Sequence, residues 1–424
     1  MDTANPFSAA MVDTCIAIIQ KTQATDYYIT FIDAKNGLQD KKVYSVKDEV
    51  YKNVVNNVFF IPTDFNLKIY NKYGKKVKEL IEKWWDKIST SKNILKYKKD
   101  LEQYRNSLKP GDITLLGLIT EGGQGLATGN NGKYIGVLEG TKWAEKVKKE
   151  RPEKLAEFIK NKNPKELSFL KTKQDVIDYL KNLKEIEIRT LFDSLKENYG
   201  RDIFGQGWIY RIVSKDEIAD VDKLTEDEKL NGIEGGKTFV PYDKGDKEGN
   251  RWWAPSVYYI DWSKENVKSL QTDPKARWQG YQLYFREGFC WNNVSTPIHE
   301  ESMFIKCRIK EKTVNDVASM SLYSKHQLTT NKYLVSMLNS RLLFNFLKTF
   351  INTSVNLQMN DIRQLPIVIP MPKQLKEFEE IFNKAVDIQK KKFSNQITEE
   401  LAKQELNDIQ KELDQKVLKL YDLI

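Results

Sequence analysis

At 424 residues the chain is too long for a single small module and has room for two or three domains of roughly 100–200 residues each. Its 40% apolar and 30% charged residues exclude a chain disordered by composition, and no apolar run nears the roughly 18–20 residues of a membrane span. A formal net charge of +9 favours an anionic partner, and with no basic-then-apolar leader pattern at the N-terminus the expected compartment is the cytoplasm.

In chain order, Met11-Val-Asp-Thr-Cys-Ile-Ala-Ile-Ile-Gln-Lys21 reads as one apolar strand and Tyr27-Tyr-Ile-Thr-Phe-Ile-Asp33 as a second. Paired as an antiparallel hairpin, they need a further sheet to join, because so apolar a hairpin is unstable alone in water. From Val46 to Arg105 the chain is helical and basic. Between Lys68 and Arg105 stand twelve Lys or Arg against five Asp or Glu, with Leu80, Ile81, Trp84 and Trp85 on an inner face. Such a face either follows a phosphate backbone or is simply solvated. Pro110-Gly111 closes this linker.

Strand character at residues 113–119 leads to Gly125-Leu-Ala-Thr-Gly-Asn-Asn-Gly-Lys-Tyr-Ile135. Its glycines permit positive φ and close approach, Asn130 and Asn131 offer amides, and Lys133 supplies a point charge. Taken alone the loop is a tight turn between strands; beside basic and aromatic neighbours it suits a polyanion. Residues 143–199 read as two or three helices, with breaks suggested by Pro152, Asn163-Pro164 and the Thr172–Asp175 boundary. Gly235-Gly-Lys-Thr resembles a phosphate loop but fails its frame: Asn231 stands where the first glycine belongs, and strand residues follow instead of a helix.

Short aromatic strands follow at Arg251-Trp-Trp, Val257-Tyr-Tyr-Ile-Asp-Trp262 and residues 281–293. Arg251 beside Trp252, Arg277 beside Trp278 and Arg286 after Phe285 interleave cation with ring, which serves base stacking or cross-strand core packing alike. An amphipathic helix at residues 333–348 precedes a polar segment and a strand stopped by Pro370. Beyond Pro372, apolar residues at Leu375, Phe378, Phe382 and Ile388, then Leu406, Ile409, Leu413, Val417 and Leu420, specify a helical hairpin. Cys15, Cys290 and Cys307 are far apart in apolar surroundings and read as buried thiols in a reducing compartment. With only His299 and His326 and no Cys-x-x-Cys, neither a zinc site nor a histidine triad has material, so no metal is expected. No paired carboxylates with supporting bases stand out, which ranks a generic enzyme built on Asp243 or Asp261 low.

Several segments in this order carry a resemblance: Thr128-Gly-Asn-Asn-Gly-Lys-Tyr134, Phe239-Val-Pro-Tyr-Asp-Lys-Gly245, Ile260-Asp-Trp262, Tyr284-Phe-Arg-Glu-Gly-Phe-Cys-Trp291, Met320-Ser-Leu-Tyr323, Leu338-Asn-Ser-Arg341, Asn356-Leu-Gln-Met-Asn-Asp-Ile-Arg-Gln-Leu-Pro-Ile367 and the final Leu413–Leu423 stretch. Together they resemble the C-terminal specificity half, a TaqI-like specificity domain, of large bacterial N6-adenine DNA methyltransferases, both type IIG restriction-modification enzymes and phage-exclusion methyltransferases. The resemblance implies an α+β fold: a terminal hairpin of a methyltransferase sheet (1–45), a basic helical linker (46–111), a twisted-sheet DNA target-recognition domain with inserted helices (112–371) and a helical hairpin (372–424). It implies a double-stranded DNA partner and, upstream, a methyltransferase and even a nuclease domain or subunit, which would hold S-adenosylmethionine. This sequence has no adenosylmethionine loop and no Asn-Pro-Pro-Tyr; Asn5-Pro-Phe7 lacks the second proline. No catalytic residue or bound cofactor is therefore expected in this chain, which would be inactive by itself. The expected DNA contacts are Thr128, Gly129, Asn130, Asn131, Lys133, Tyr242, Lys244, Arg251, Trp252, Arg286, Trp291, Asn356 and Asn360. A nonenzymatic specificity subunit or an anti-restriction protein that docks a separate methyltransferase is the alternative.

Overall fold

The computed structural model describes residues 2–3, 14–15, 17–19, 27–34, 37–54, 58–89, 96–204, 210–246, 248–291, 304–354 and 356–424. The fold is α+β, with a mixed eight-stranded sheet, two smaller sheets and abundant helix. Two compact units divide the chain: Met1–Glu121 with Val294–Lys306 and Ser324–Ile424, and Gly122–Asn293 with Cys307–Tyr323.

In the first unit, Tyr28–Ala34 pairs antiparallel with Lys42–Lys47, Tyr28 opposite Lys47 and Asp33 opposite Lys42. This corrects the expected hairpin of 11–21 with 27–33. Most of 11–21 lies outside the described residues; Thr14–Cys15 pairs with Asp2–Thr3, while Ile18 and Ile19 are outside any strand and 93% and 89% exposed. A helical run from Asp64 to Ile88 buries Leu80, Ile81 and Trp85 and leaves Lys75, Lys76, Lys83 and Lys87 in solvent. Other linker cations are tied down: Lys68 donates to the Leu423 carbonyl, Lys72 pairs with Asp422, and Lys78 donates to the Lys52 carbonyl. The C-terminal helices Pro372–Phe393 and Glu399–Leu420 form the expected hairpin, with Thr398 capping the second by accepting the Leu401 N–H.

The division of the chain differs from the boundaries expected at 111/112 and 371/372. Ser324 to Met371 belongs with the linker and the terminal helices. The cause is long-range pairing: Pro366–Val368 adds antiparallel to Ile113–Leu115, and the Tyr333 and Tyr421 hydroxyls donate to the Val368 and Pro366 carbonyls. Three-residue strands give too little periodic signal for sequence to pair them.

The second unit is built on the large sheet, in the order Thr120–Gly123, Met320–Ser324, Arg286–Trp291, Cys307–Asn315, Phe239–Asp243, Tyr258–Asp261, Ile135–Leu138, Arg211–Val213. Most neighbours run antiparallel; Cys307–Asn315 with Phe239–Asp243, and Ile135–Leu138 with Arg211–Val213, run parallel. Three helices, Lys142–Lys162, Lys173–Lys181 and Glu185–Tyr199, enclose their own small core around Leu155, Phe158, Leu180 and Phe192. Pro152 sits inside the first of them, and the break comes at Asn163, whose left-handed backbone ends the helix. Thr172 and Asp175 form a reciprocal capping box on the second. Residues 235–238 run into the strand Phe239–Asp243, so a strand and not a helix follows the Gly-Gly-Lys-Thr segment.

Candidate nucleic-acid interface

Two segments of the second unit, residues 124–134 and 273–281, are laid against each other although about 150 residues of sequence separate them. Ala127 and Arg277 exchange backbone hydrogen bonds of 3.2 and 2.8 Å. Gln279 Nε2 donates to the Gly125 carbonyl at 2.9 Å. Glycine makes the approach possible. A Cβ on Gly129 (φ +62°) would lie 2.5 Å from the Lys275 carbonyl oxygen, and one on Gly280 (φ +70°) 2.3 Å from that of Gln124. Gly125 meets the Asn315 carbonyl in the same way, which fixes the loop to the sheet. Gly129→Ala is therefore expected to cost about 1–3 kcal/mol, from a left-handed backbone and a backbone clash together, and to lower the thermal midpoint.

Within the first loop, residues 131–134 form a single helical turn. The Thr128 hydroxyl, buried, donates to Asn131 Oδ1 at 2.5 Å and accepts the Asn130 N–H at 3.3 Å. Thr128 thus holds the two asparagines in place and faces inward. Asn130 caps the turn through its backbone, its amide side chain taking no part in the cap. Lys133 is half-buried, with its ammonium 5.3 Å from the Tyr134 ring. Behind it Lys196 is buried, 3.7 Å from Asp193; burial pushes its ammonium down to about 8, Asp193 works the other way, and the Lys133 charge adds to the lowering. The second loop is braced by Asp273, which accepts from the Lys275 N–H at 2.8 Å and from Arg201 at 2.6 Å and is held below the usual carboxylate range by these bonds. Lys275 and Arg277 are exposed. Trp278 lies parallel to the buried Trp262 at 5.5 Å, and Tyr281, 49% exposed, lies parallel to Trp278 at 6.4 Å, so a ladder of rings runs from the core to the surface.

The remaining expected contacts are placed elsewhere. Tyr242, Trp252 and Trp291 are at most 1% exposed and belong to the interior, which corrects their assignment to a DNA face. The Tyr242 hydroxyl donates to Asp316 at 2.7 Å, and Lys244 reaches the same carboxylate at 3.3 Å. Trp252 has a left-handed backbone (φ 70°) and bonds through N–H and C=O to the strand Cys307–Asn315. Arg251 is half-buried beside it. Arg286 packs its guanidinium on the Tyr323 ring at 4.9 Å. Asn356 and Asn360 are exposed but lie in the first unit. Asp261 is buried and Asp243 nearly so, in ion pairs with Arg211 at 2.9 Å and Arg308 at 2.6 Å, positions that hold the sheet together.

Gln124, Lys275, Arg277, Trp278, Gln279 and Tyr281 are the residues of this surface that the sequence reading left out of its site. Their signal is the run Asp273-Pro-Lys-Ala-Arg-Trp-Gln-Gly-Tyr281, in which turn residues flank two cations and two rings. The surface combines cations, primary amides and rings, the chemistry of phosphate contact, base-edge pairing and stacking. Among the described residues no group of His, Cys, Asp and Glu is arranged to hold a metal ion, and no helix is long and apolar enough to cross a membrane. No protein-family model matches the chain, and no curated protein sequence is significantly similar to it.

Proposed function

We propose that the surface formed by residues 124–134 and 273–281 binds double-stranded DNA and reads its sequence, as the target-recognition part of an adenine-specific (N6) DNA methyltransferase or restriction-modification protein. The observation that carries the DNA reading is the convergence of Lys133, Lys275 and Arg277 with the amides of Asn130 and Asn131 and the open ring of Tyr281 on one surface. Cations neutralise phosphates and set the register, and an amide pairs bidentately with adenine in the major groove. The methyltransferase assignment rests on the order of motifs in the sequence. S-adenosylmethionine would be held by a separate methyltransferase domain, and no residue of this chain is assigned to it.

Gel shifts against a randomised duplex pool test the reading. Affinity should fall steeply with salt, and selected sequences should share a motif. Asn130→Ala with Asn131→Ala should change that motif without unfolding the protein, whereas Lys133→Ala should weaken binding to every sequence and reduce the salt slope by about 1. Absence of binding at low salt, or a selected pool without a motif, refutes sequence-specific recognition.

A second reading, a nonenzymatic specificity subunit or anti-restriction protein docking a separate methyltransferase, is favoured by apolar side chains left open on the small sheet, Tyr28 and Val43 among them. Co-purification of an adenine methyltransferase subunit through this sheet supports it, and charge substitution at Tyr28 and Val43 without loss of that subunit removes it.

A further inference from the structure

In the first unit the Arg363 guanidinium has no ion-pair partner among the described residues. Arg363 ends the helix Met359–Arg363, is 5% exposed, and lies with its guanidinium 4.9 Å from the centre of the buried Trp85 ring. Gly117 makes room for the pair: a Cβ there would stand 2.4 Å from Trp85 Cζ3 and 3.0 Å from Arg363 Cβ. Among the described residues the Arg363 side chain has no hydrogen-bond acceptor and no carboxylate, and its Nε is buried without a partner. Burial pushes its pKa down to about 10, and the charge that next affects it is another arginine, Arg105.

Arg105 is itself anchored on the same backbone segment, donating from Nε to the Leu118 carbonyl at 2.6 Å and from Nη2 to that of Thr120 at 3.3 Å. His326, half-buried and within the field of Arg105, has an Nδ1 without a partner. Its neighbour Lys325 donates its N–H to the Ile119 carbonyl and stands 3.6 Å from Glu121, whose charge, with that of Glu102, also acts on Arg105. Arg363 at Gly117 and Arg105 at Leu118 and Thr120 thus place two guanidinium groups on residues 117–120, with His326 within the field of Arg105 and Glu121 paired with Lys325.

A buried charge is normally retained only with a compensating partner, because desolvation without one is costly. A guanidinium laid on an aromatic face keeps its in-plane donors for a forked contact with a tetrahedral oxyanion, which a lysine ammonium could not make. We propose that Arg363, flanked by Arg105 and His326, binds a phosphate-type oxyanion. A cation or neutral ligand would leave the guanidinium uncompensated, whereas one phosphate group supplies charge and acceptors together. The site lies in the first unit and does not rest on the reading of the 124–134 and 273–281 surface.

The test compares unfolding midpoints in inorganic phosphate and in chloride of equal ionic strength. Phosphate should raise the wild-type midpoint. Arg363→Met should abolish that increment while leaving the midpoint in chloride unchanged or higher, since an unpaired buried cation has been removed. Arg363→Lys should retain less than half of the increment. Line broadening of the phosphorus resonance of phosphate by the wild-type protein is expected too, and needs no variant. The proposal is overturned if phosphate gives neither stabilisation nor broadening, or if Arg363→Met loses stability in chloride and keeps the phosphate increment, which would make Arg363 a brace for Trp85. Titration of a short duplex identifies the source. A tenfold or greater loss of duplex affinity in Arg363→Met places a nucleic-acid backbone phosphate at the site, and unchanged duplex affinity with a lost phosphate increment places a free phosphate there.

Discussion

Replacing Arg308 by Met is expected to lower the free energy of unfolding by about 3–5 kcal/mol, the usual result of removing one partner of a buried ion pair. Arg308 on the strand Cys307–Asn315, buried, reaches Asp243 on the parallel strand Phe239–Asp243 at 2.6 Å, where the Asp243 side chain is 9% exposed. Burial by itself would raise the Asp243 pKa, but Arg308, the Cys290 thiol donating at 3.2 Å and the Gly245 N–H at 3.1 Å together hold the carboxyl below its ordinary value. Burial by itself would lower the Arg308 pKa, but the Asp243 charge, together with smaller contributions from Cys290 and Asp246, raises it on balance. A group with a depressed native pKa stabilises the fold above its unfolded pKa, and that contribution is lost as pH falls through the native value. Wild type should therefore lose stability in acid through this carboxylate. In Arg308→Met the native pKa of the remaining carboxyl moves up toward its unfolded value, so less stability is lost through this group in acid and the deficit relative to wild type narrows as pH falls. Adding Asp243→Asn should recover more than half of the deficit, because the unpaired charge is then gone. Urea unfolding of the four proteins of this cycle checks the argument. A deficit below about 1 kcal/mol in the single variant, the value typical of exposed pairs, would show that the pair is solvated in practice.

The same pair explains why part of the site was hidden in the sequence. Strong local patterns were legible: the terminal hairpin from its three- and four-residue spacing, the Thr172 start from its cap, and the helix break at Asn163-Pro164, whereas Pro152 breaks no helix and lies within Lys142–Lys162. The assignment of rings was not. Trp252 and Trp291 stand next to arginine or polar residues as a stacking platform would, yet both are fully buried, Trp291 on an interior strand of the sheet and Trp252 bonded to the strand Cys307–Asn315, where neighbouring cations are drawn into ion pairs such as Arg308 with Asp243. Sequence alternation separates two faces of a strand but does not tell which face meets solvent. The partnership of residues 124–134 with 273–281 was out of reach for another reason. Each loop carries its turn residues locally, while the Ala127 and Arg277 backbone bonds join positions brought together by the order of the sheet alone. The first loop was legible as amide-bearing and glycine-dependent; its inward-facing Thr128 was not, since a threonine in a loop reads equally as ligand contact or as brace.

Stability should rise, not fall, as pH increases from about 8 toward 10, because two lysines of the second unit are buried cations with lowered pKa values. Lys310 donates to the Arg286 carbonyl at 2.8 Å beneath the Tyr323 ring, and burial pushes it from 10.5 down to about 8. Lys196, behind the first loop, is likewise brought to about 8. Below pH 8 both the native and the unfolded chain carry these protons. Between about 8 and 10.5 the unfolded chain holds protons that the native chain has shed, so raising the pH favours the native state. At about 1.4 kcal/mol per pH unit, the Lys310 drop corresponds to roughly 3 kcal/mol over the full window. The window is closed from above by tyrosines. Burial raises the pKa of Tyr242, Tyr284 and Tyr333, so these stay protonated in the native chain while they ionise in the unfolded one, and stability is lost again above about 10. Denaturant unfolding at successive pH values should therefore show a maximum on the alkaline side. Lys310→Met, of similar length and without the charge, should flatten about half of the rise, and Lys196→Met about the other half. A flat wild-type profile from pH 8 to 10, or a Lys310→Met profile that rises as steeply as wild type, would mean that water reaches the Lys310 ammonium and that the strand carrying Arg286 is looser than its packing indicates.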